Sequence, residues 1–169
     1  NFDNQASCGT ASDCETTVCS INGNWSNINS GSDDIDWRVD NSGTPSSNTG
    51  PSVDHTLQNT SGKYVYIEAS SCAGKSAHLK SNCMNLSMYE SASLSFWYHM
   101  HGVTVATLDV DIEVDGVTTN SIVALSGDKG DTWLNSTVDL SSYKGSAVYV
   151  TFKGVTGTQY TSDIALDDI

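Results

Sequence analysis

The sequence predicts an all-β chain, an antiparallel β-sandwich of jelly-roll type. Three observations predict it. Short apolar/polar alternations recur at a spacing of about ten residues, the pattern of many short antiparallel strands. No segment holds helical periodicity over three turns. Charged residues make up only 16% of the 169, and Ser, Thr, Asn and Gly fill the polar positions, a composition that suits helices poorly.

The elements follow in order. Residues 1–50 have few apolar anchors and read as loop, with one short strand over 35–39. Both prolines fall within the turn-rich stretch 43–52. A strand is expected over 64–68, and shorter ones over 77–79 and 83–86. The strongest is 93–101, where Leu94, Phe96, Tyr98 and Met100 alternate with Ser95, Trp97, His99 and His101. Leu108, Val110, Ile112 and Val114 then alternate with Asp109, Asp111, Glu113 and Asp115 up to the Asp115-Gly116 hairpin signal. Further strands are expected over 121–125, 133–139, 147–153 and 163–169.

The chain is expected to form one domain over residues 1–169, with a cysteine-rich N-terminal segment over 1–24, and to be one part of a larger multidomain protein. The formal net charge is −13, with seven Lys plus Arg. That argues against nucleic acid, whose affinity comes largely from cationic side chains on phosphates, and against an anionic membrane surface. No apolar run reaches membrane-spanning length, so no membrane insertion is expected. Five cysteines without a C-x-x-C pair, in an acidic Ser/Thr-rich chain, suggest disulfides and a secreted, extracellular setting. Ten intervening residues make Cys72–Cys83 an easily closed pair. Two of Cys8, Cys14 and Cys19 pair in any combination and leave one over.

Five motifs, in order, carry a family resemblance. They are Asp33-Asp34-Ile35-Asp36-Trp37, the stretch 49–56, Phe96-Trp97-Tyr98-His99-Met100, Gly130-Asp131-Thr132-Trp133 and the terminal 162–169. Together they resemble the MAM domain, known from meprin, neuropilin and the receptor tyrosine phosphatase mu. The resemblance implies a jelly roll without catalytic activity, used in adhesion or recognition and similar in fold to carbohydrate-binding modules. Asn1-Phe2-Asp3 looks like the family's opening strand, and the stretch 8–19 looks like an insertion of a bacterial secreted type. Trp37 and Trp133, within motifs, are expected in the core.

The resemblance also implies a structural cation in some members. A strand over 163–169 puts Asp168 on the face of Ile164 and Leu166, where a carboxylate must be paired or hold a cation. Structural Ca²⁺ would draw its oxygen ligands from Asp3, Asp36, Asp54 and Asp168, each in or beside a motif. The alternative is turn-capping acids, with Asp168 paired to Arg38, the one Arg of the chain.

No nucleophile motif, phosphate loop or His-Glu-x-x-His is present, so no enzymatic activity is expected. A ligand-binding face is expected instead. Trp97, His99 and His101 oppose the apolar stripe of their strand, as Asp109, Asp111 and Glu113 and also Tyr149 and Lys153 oppose theirs. Rings for pyranose faces and carboxylates and imidazoles for hydroxyls suit a sugar. Trp25, in a Gly/Asn/Ser loop, is a further candidate ring. The alternative is that the N-terminal segment covers this face and buries Trp97. Two functions are therefore expected: a carbohydrate-binding module anchoring a secreted bacterial enzyme to a polysaccharide, algal or cell-surface, or a protein–protein adhesion module.

Overall fold

A computed structural model describes residues 1–9, 14, 19–28 and 31–169. Among these residues eleven strands form two antiparallel sheets. They are β1 (Trp25–Asn27), β2 (Arg38–Asp40), β3 (Tyr64–Ile67), β4 (Ser76–Ser81), β5 (Met84–Asn85), β6 (Ser93–Met100), β7 (Thr107–Val114), β8 (Val117–Ser126), β9 (Leu134–Asp139), β10 (Ala147–Val155) and β11 (Ile164–Asp167). The first sheet runs β1-β4-β10-β7-β8, with β5 against the start of β10; the second runs β2-β3-β11-β6-β9. One 3-10 turn over Ser141–Tyr143 completes the elements.

Alternation decides what each strand buries. Leu94, Phe96, Tyr98 and Met100 of β6 face inward, as do Leu108, Val110 and Ile112 of β7, Val148, Val150 and Phe152 of β10, and Ile164 and Leu166 of β11. Phe96 and Phe152, from opposite sheets, meet edge-on with centroids 4.8 Å apart, a favoured arrangement for aromatic pairs. The sequence predicts these faces correctly, and the sandwich follows because each sheet has one apolar face to cover.

The N-terminal region departs from expectation. Residues 1–3 form no strand: the Gln5 amide donates to the Phe2 carbonyl at 2.9 Å in a turn, while the Phe2 ring enters the core. The outer strand is β1, paired to β4. Its Trp25 tilts against Phe152 at 5.4 Å between centroids, so Trp25 packs on the core rather than standing free as a binding ring. Most of the expected 8–19 insertion lies outside the described residues.

The cysteine pairing is also corrected. The bonds are Cys8–Cys19 and Cys14–Cys72, with Cα separations of 5.4 and 5.1 Å, and Cys83 is an exposed free thiol. Cys72 and Cys83 cannot meet because extended β4 lies between them and carries the chain across the sheet. We expect a thiol reagent to modify one cysteine per native chain and Cys83→Ser to abolish that reaction without lowering the melting temperature. Modification of two or more thiols in the native state would contradict this pairing.

Candidate functional site

The outward face of the second sheet is not open to solvent. Arg38 and Asp40 of β2, Tyr64 and Tyr66 of β3, Ala165 and Asp167 of β11 and His99 of β6 all lie there, and all are buried. Register sets them side by side: Tyr66 stands opposite both Arg38 and Ala165, Ala165 opposite His99, and Asp167 opposite Trp97. Among the described residues the main cover is the segment 41–62, with Gly9 of the N-terminal segment accepting from Arg38 Nη2 at 3.2 Å. Thr49 Oγ1 donates to the His101 carbonyl at 2.9 Å and accepts from the Asp163 amide. The His55 amide donates to Asp167 Oδ2 at 3.0 Å, and the Trp133 indole N–H donates to the Val53 carbonyl at 3.0 Å.

Where this cover ends, a cleft of about 480 Å³ opens between the 51–58 loop, β6 and the loop before β9. Trp97, Trp133, His55 and His99 supply its rings, and Asp54, Gln58 and Asp131 supply polar groups. His55 stacks on Trp97 at 3.6 Å between centroids, with planes 17° apart. Trp133 meets His55, His99 and Tyr64 edge-on. The rings therefore brace one another, a preorganised wall rather than a set of free side chains. Asp54 fixes the loop, accepting from the Leu57 amide at 2.7 Å and the Asn59 amide at 3.3 Å. Gly62 is required behind it, because a Cβ there would collide with the Asp54 carboxyl.

Burial pushes His99 down to about 4, although Asp131 beside Nε2 at 3.2 Å works against it. The ring is neutral at neutral pH and presents a buried Nδ1 that has no partner. Burial also raises Asp167 to about 6, with Asp168 adding to the effect. Burial acts to raise Asp168 as well, but hydrogen bonds from Thr56 and from His55, whose Nδ1 lies 2.8 Å away, hold it below its ordinary value. His101 sits half-buried at the rim, with Nδ1 3.6 Å from Asp128.

The expected single binding face is divided in two. Trp97, His99 and His101 lie outside the second sheet, whereas Asp109, Asp111, Glu113, Tyr149 and Lys153 lie outside the first. Alternation tells inward from outward but not which sheet a strand joins, and the chain changes sheets between β6 and β7. On the first sheet the groups neutralise one another: Lys80–Glu113 at 2.7 Å, Lys153–Asp111 at 3.5 Å, and Lys80 over the Tyr149 ring at 4.7 Å. Trp37 is core as expected, but Trp133 is a half-buried wall of the cleft. His55, Gln58 and Asp131 escaped the residue-level reading, although two of the motifs contain His55 and Asp131.

The four expected calcium ligands do not converge. Asp3 Oδ1 accepts from the Lys63 amide, Asp54 staples its own loop, and Asp36 is buried beside Asp33, which together with burial raises it to about 6. Asp168 leaves strand geometry at φ 45°, breaking the expected alternation, and it engages His55 and Thr56 rather than Arg38. Among the described residues no three His, Cys, Asp or Glu side chains gather as a metal-holding group. The set Asp3, Asp36, Asp54 and Asp168 therefore does not fit one cation.

A two-sheet antiparallel sandwich with a polar-aromatic cleft on one outward face defines a recognition module. The chain belongs to the MAM domain family (meprin/A5/mu), whose pattern matches residues 1–169. It is 31% identical over 152 residues to mouse MAM domain-containing glycosylphosphatidylinositol anchor protein 2, covering 81% of this chain and 16% of that protein. It is 34% identical over 159 residues to Xenopus laevis neuropilin-1, covering 92% of this chain and 15% of that protein. The chain thus spans about a sixth of the length of these relatives. Among solved structures it is similar in fold to the K1 cleaved adhesin domain of Lys-gingipain from Porphyromonas gingivalis W83, with TM-score 0.56, 20% identity, and 87% and 89% of the two chains covered. It is also similar in fold to the carbohydrate-binding module TmCBM61 solved with β-1,4-galactotriose, with TM-score 0.53, 14% identity, and 85% and 83% covered.

Proposed function

We propose that the chain is a non-catalytic carbohydrate-recognition module that holds its parent protein on a neutral glycan outside the cell. The observation that carries this reading is the cleft in which Trp97 and Trp133 stand beside Gln58, Asp131 and the neutral His99. Its volume of about 480 Å³ falls in the range of small-ligand sites. Rings offer apolar faces to a pyranose, and the amide and carboxylate bond its hydroxyls. A chain of net charge −13 with a carboxylate at the rim disfavours an anionic glycan. That a structural neighbour was solved with β-1,4-galactotriose supports a sugar as the ligand class of such a sandwich.

The test is a glycan array and affinity electrophoresis with neutral and acidic polysaccharides. Asp131→Ala combined with Gln58→Ala removes two exposed cleft groups and is expected to weaken binding about 10–100-fold, the worth of one or two hydrogen bonds to a charged or polar partner. Tyr149→Ala, on the other sheet, is expected to leave binding unchanged. The opposite result would move the site to the first sheet. Family membership favours the second reading, a protein adhesion module; it prevails if no glycan binds and the chain captures a protein ligand instead.

A further inference from the structure

The cleft does not stop at Asp131. A second hollow of about 260 Å³ adjoins it, lined by Thr44, Ser46, Asn48 and His101. Pro51, Ser52 and Asp131 line both hollows, which therefore share a wall. Their order follows β6: His99 lines the first hollow, and His101, just past the end of the strand, lines the second. Residues two apart on a strand point the same way and stand about 7 Å apart. The two imidazoles lie 6.3 Å apart between centroids, a step comparable with the length of one sugar unit in a chain. The hollows differ in chemistry. The first is walled by rings, whereas the second has His101 as its one ring and otherwise presents hydroxyls, an amide and backbone.

The second hollow is as firmly built as the first. Its floor is the 43–52 loop. The Thr49 hydroxyl pins that loop between the His101 carbonyl and the Asp163 amide, and Thr44 hydrogen-bonds the buried Asp163 side chain. Gly50 is buried at φ 64°, where a Cβ would collide with the Thr44 side chain. Asn48 stands exposed at the turn, at φ 59°. On the shared wall, the Asp131 side chain is 70% exposed and is aimed by His99, whose Nε2 lies 3.2 Å from its Oδ1. We infer that the two hollows are the subsites of one groove, and that its ligand is an oligosaccharide chain rather than a single sugar. This rests on the carbohydrate reading of the cleft and adds the ligand's length to it. One unit lies against Trp97 and Trp133, Asp131 accepts from a hydroxyl where the subsites meet, and the following units bond Ser52 and Asn48. Groups already fixed in place bind at little ordering cost, so the second subsite adds affinity through each hydrogen bond it makes. Asp128, 3.6 Å from His101, joins Asp131 in making the groove acidic, which suits an uncharged chain.

The experiment titrates the chain with β-1,4-galacto-, cello- and manno-oligosaccharides, each as a ladder from monosaccharide to hexasaccharide. Calorimetry reads the tighter members and ligand-observed NMR the weaker ones. In the ladder that binds, Kd is expected to fall by about 10-fold once the chain is long enough to enter the second hollow, the worth of one or two added hydrogen bonds. Asn48→Gly keeps the backbone at a positive φ that glycine adopts freely and removes the amide. Combined with Ser46→Ala, and checked for folding by near-UV circular dichroism, it is expected to erase the gain for long chains and to leave the Kd of the shortest binder unchanged. A merely structural role for these residues would weaken short and long ligands alike. Binding that does not tighten beyond the shortest binder, or an equal loss on short and long chains in the variant, overturns the groove while the carbohydrate reading stands. If no member of any ladder binds, the carbohydrate reading falls and the groove falls with it.

Discussion

Trp37→Ala is expected to cost about 3–5 kcal/mol of folding stability. At roughly 2–4 °C per kcal/mol for a chain of this size, Tm should fall by about 6–20 °C. The side chain is fully buried and stands in the main core. Its ring reaches across the sandwich to β10, where the absence of a side chain at Gly154 makes room: a Cβ there would lie 3.1 Å from Trp37 Cζ2. Its backbone is held as tightly, since Asn27 accepts from the Trp37 amide at 2.8 Å and donates to its carbonyl at 2.9 Å. Neither contact lets the walls close in, so truncation leaves a cavity rather than a collapsed core. Trp37→Phe separates packing from polarity. The indole N–H is buried without a partner, so phenylalanine loses volume but also removes that penalty, and its cost should be clearly smaller than alanine's. Chemical denaturation with both variants measures this. A loss below about 1 kcal/mol for alanine would mean that the ring is not the keystone its burial implies.

Alternation made the inner faces legible, because burying one face of a strand is a two-residue periodicity that sequence displays directly. Leu94 through Met100 and Leu108 through Ile112 needed nothing more. Partition between sheets was not legible, and that error split Trp97 and His99 from Asp111 and Tyr149. The connection after β6 turns at Gly102, φ 135°, where a Cβ would strike the Thr161 carbonyl; nothing in the strand pattern announces that turn. The outer face of the second sheet misled in another way. Arg38, Asp40, Glu68, Asp163 and Asp167 are of residue types that are mostly exposed, yet all are buried. The segment 41–62, which reads as loop by its Gly, Ser and Pro content, lies over them. Its hold is made by single polar contacts, such as Thr49 to His101 and His55 to Asp167, and these have no periodicity to read. The same holds for the cleft. Most of its residues stood in the motifs, Gln58 being an exception, but their convergence is a property of the fold.

The buried acids under that cover predict an unusual pH profile. The protein is expected to be more stable at pH 5 than at pH 8, by on the order of 3 kcal/mol, or roughly 6–12 °C in Tm. Burial, with Glu68 adding repulsion, raises Asp163 from 3.8 to about 7. Asp167 and Asp36 rise to about 6, each first through burial. A carboxyl whose folded value exceeds its unfolded one keeps a proton that the unfolded chain has lost. Its favourable contribution is complete below about pH 4 and vanishes as pH climbs through the folded value, so these acids make stability fall between about pH 4 and 7. His99 works the other way. Burial lowers it to about 4, so the unfolded chain binds the extra proton between about pH 4 and 6.5 and stability rises with pH there. Burial also raises Asp40 and Glu68 and lowers His78; the acids outweigh the histidines below pH 6.5, and above it Asp163 is the main contributor. Asp34, Asp128 and Asp139 are lowered, but they are solvent-facing and act below about pH 4. Asp163→Asn should therefore flatten the profile most between pH 6 and 8, whereas Asp167→Asn should flatten it about a unit lower. Unfolding curves between pH 4 and 8 for the parent chain and both variants separate these contributions. A protein as stable at pH 8 as at pH 5 would show that its buried acids carry their charge at no cost, and the profile argued from Asp163, Asp167 and Asp36 would fall with it.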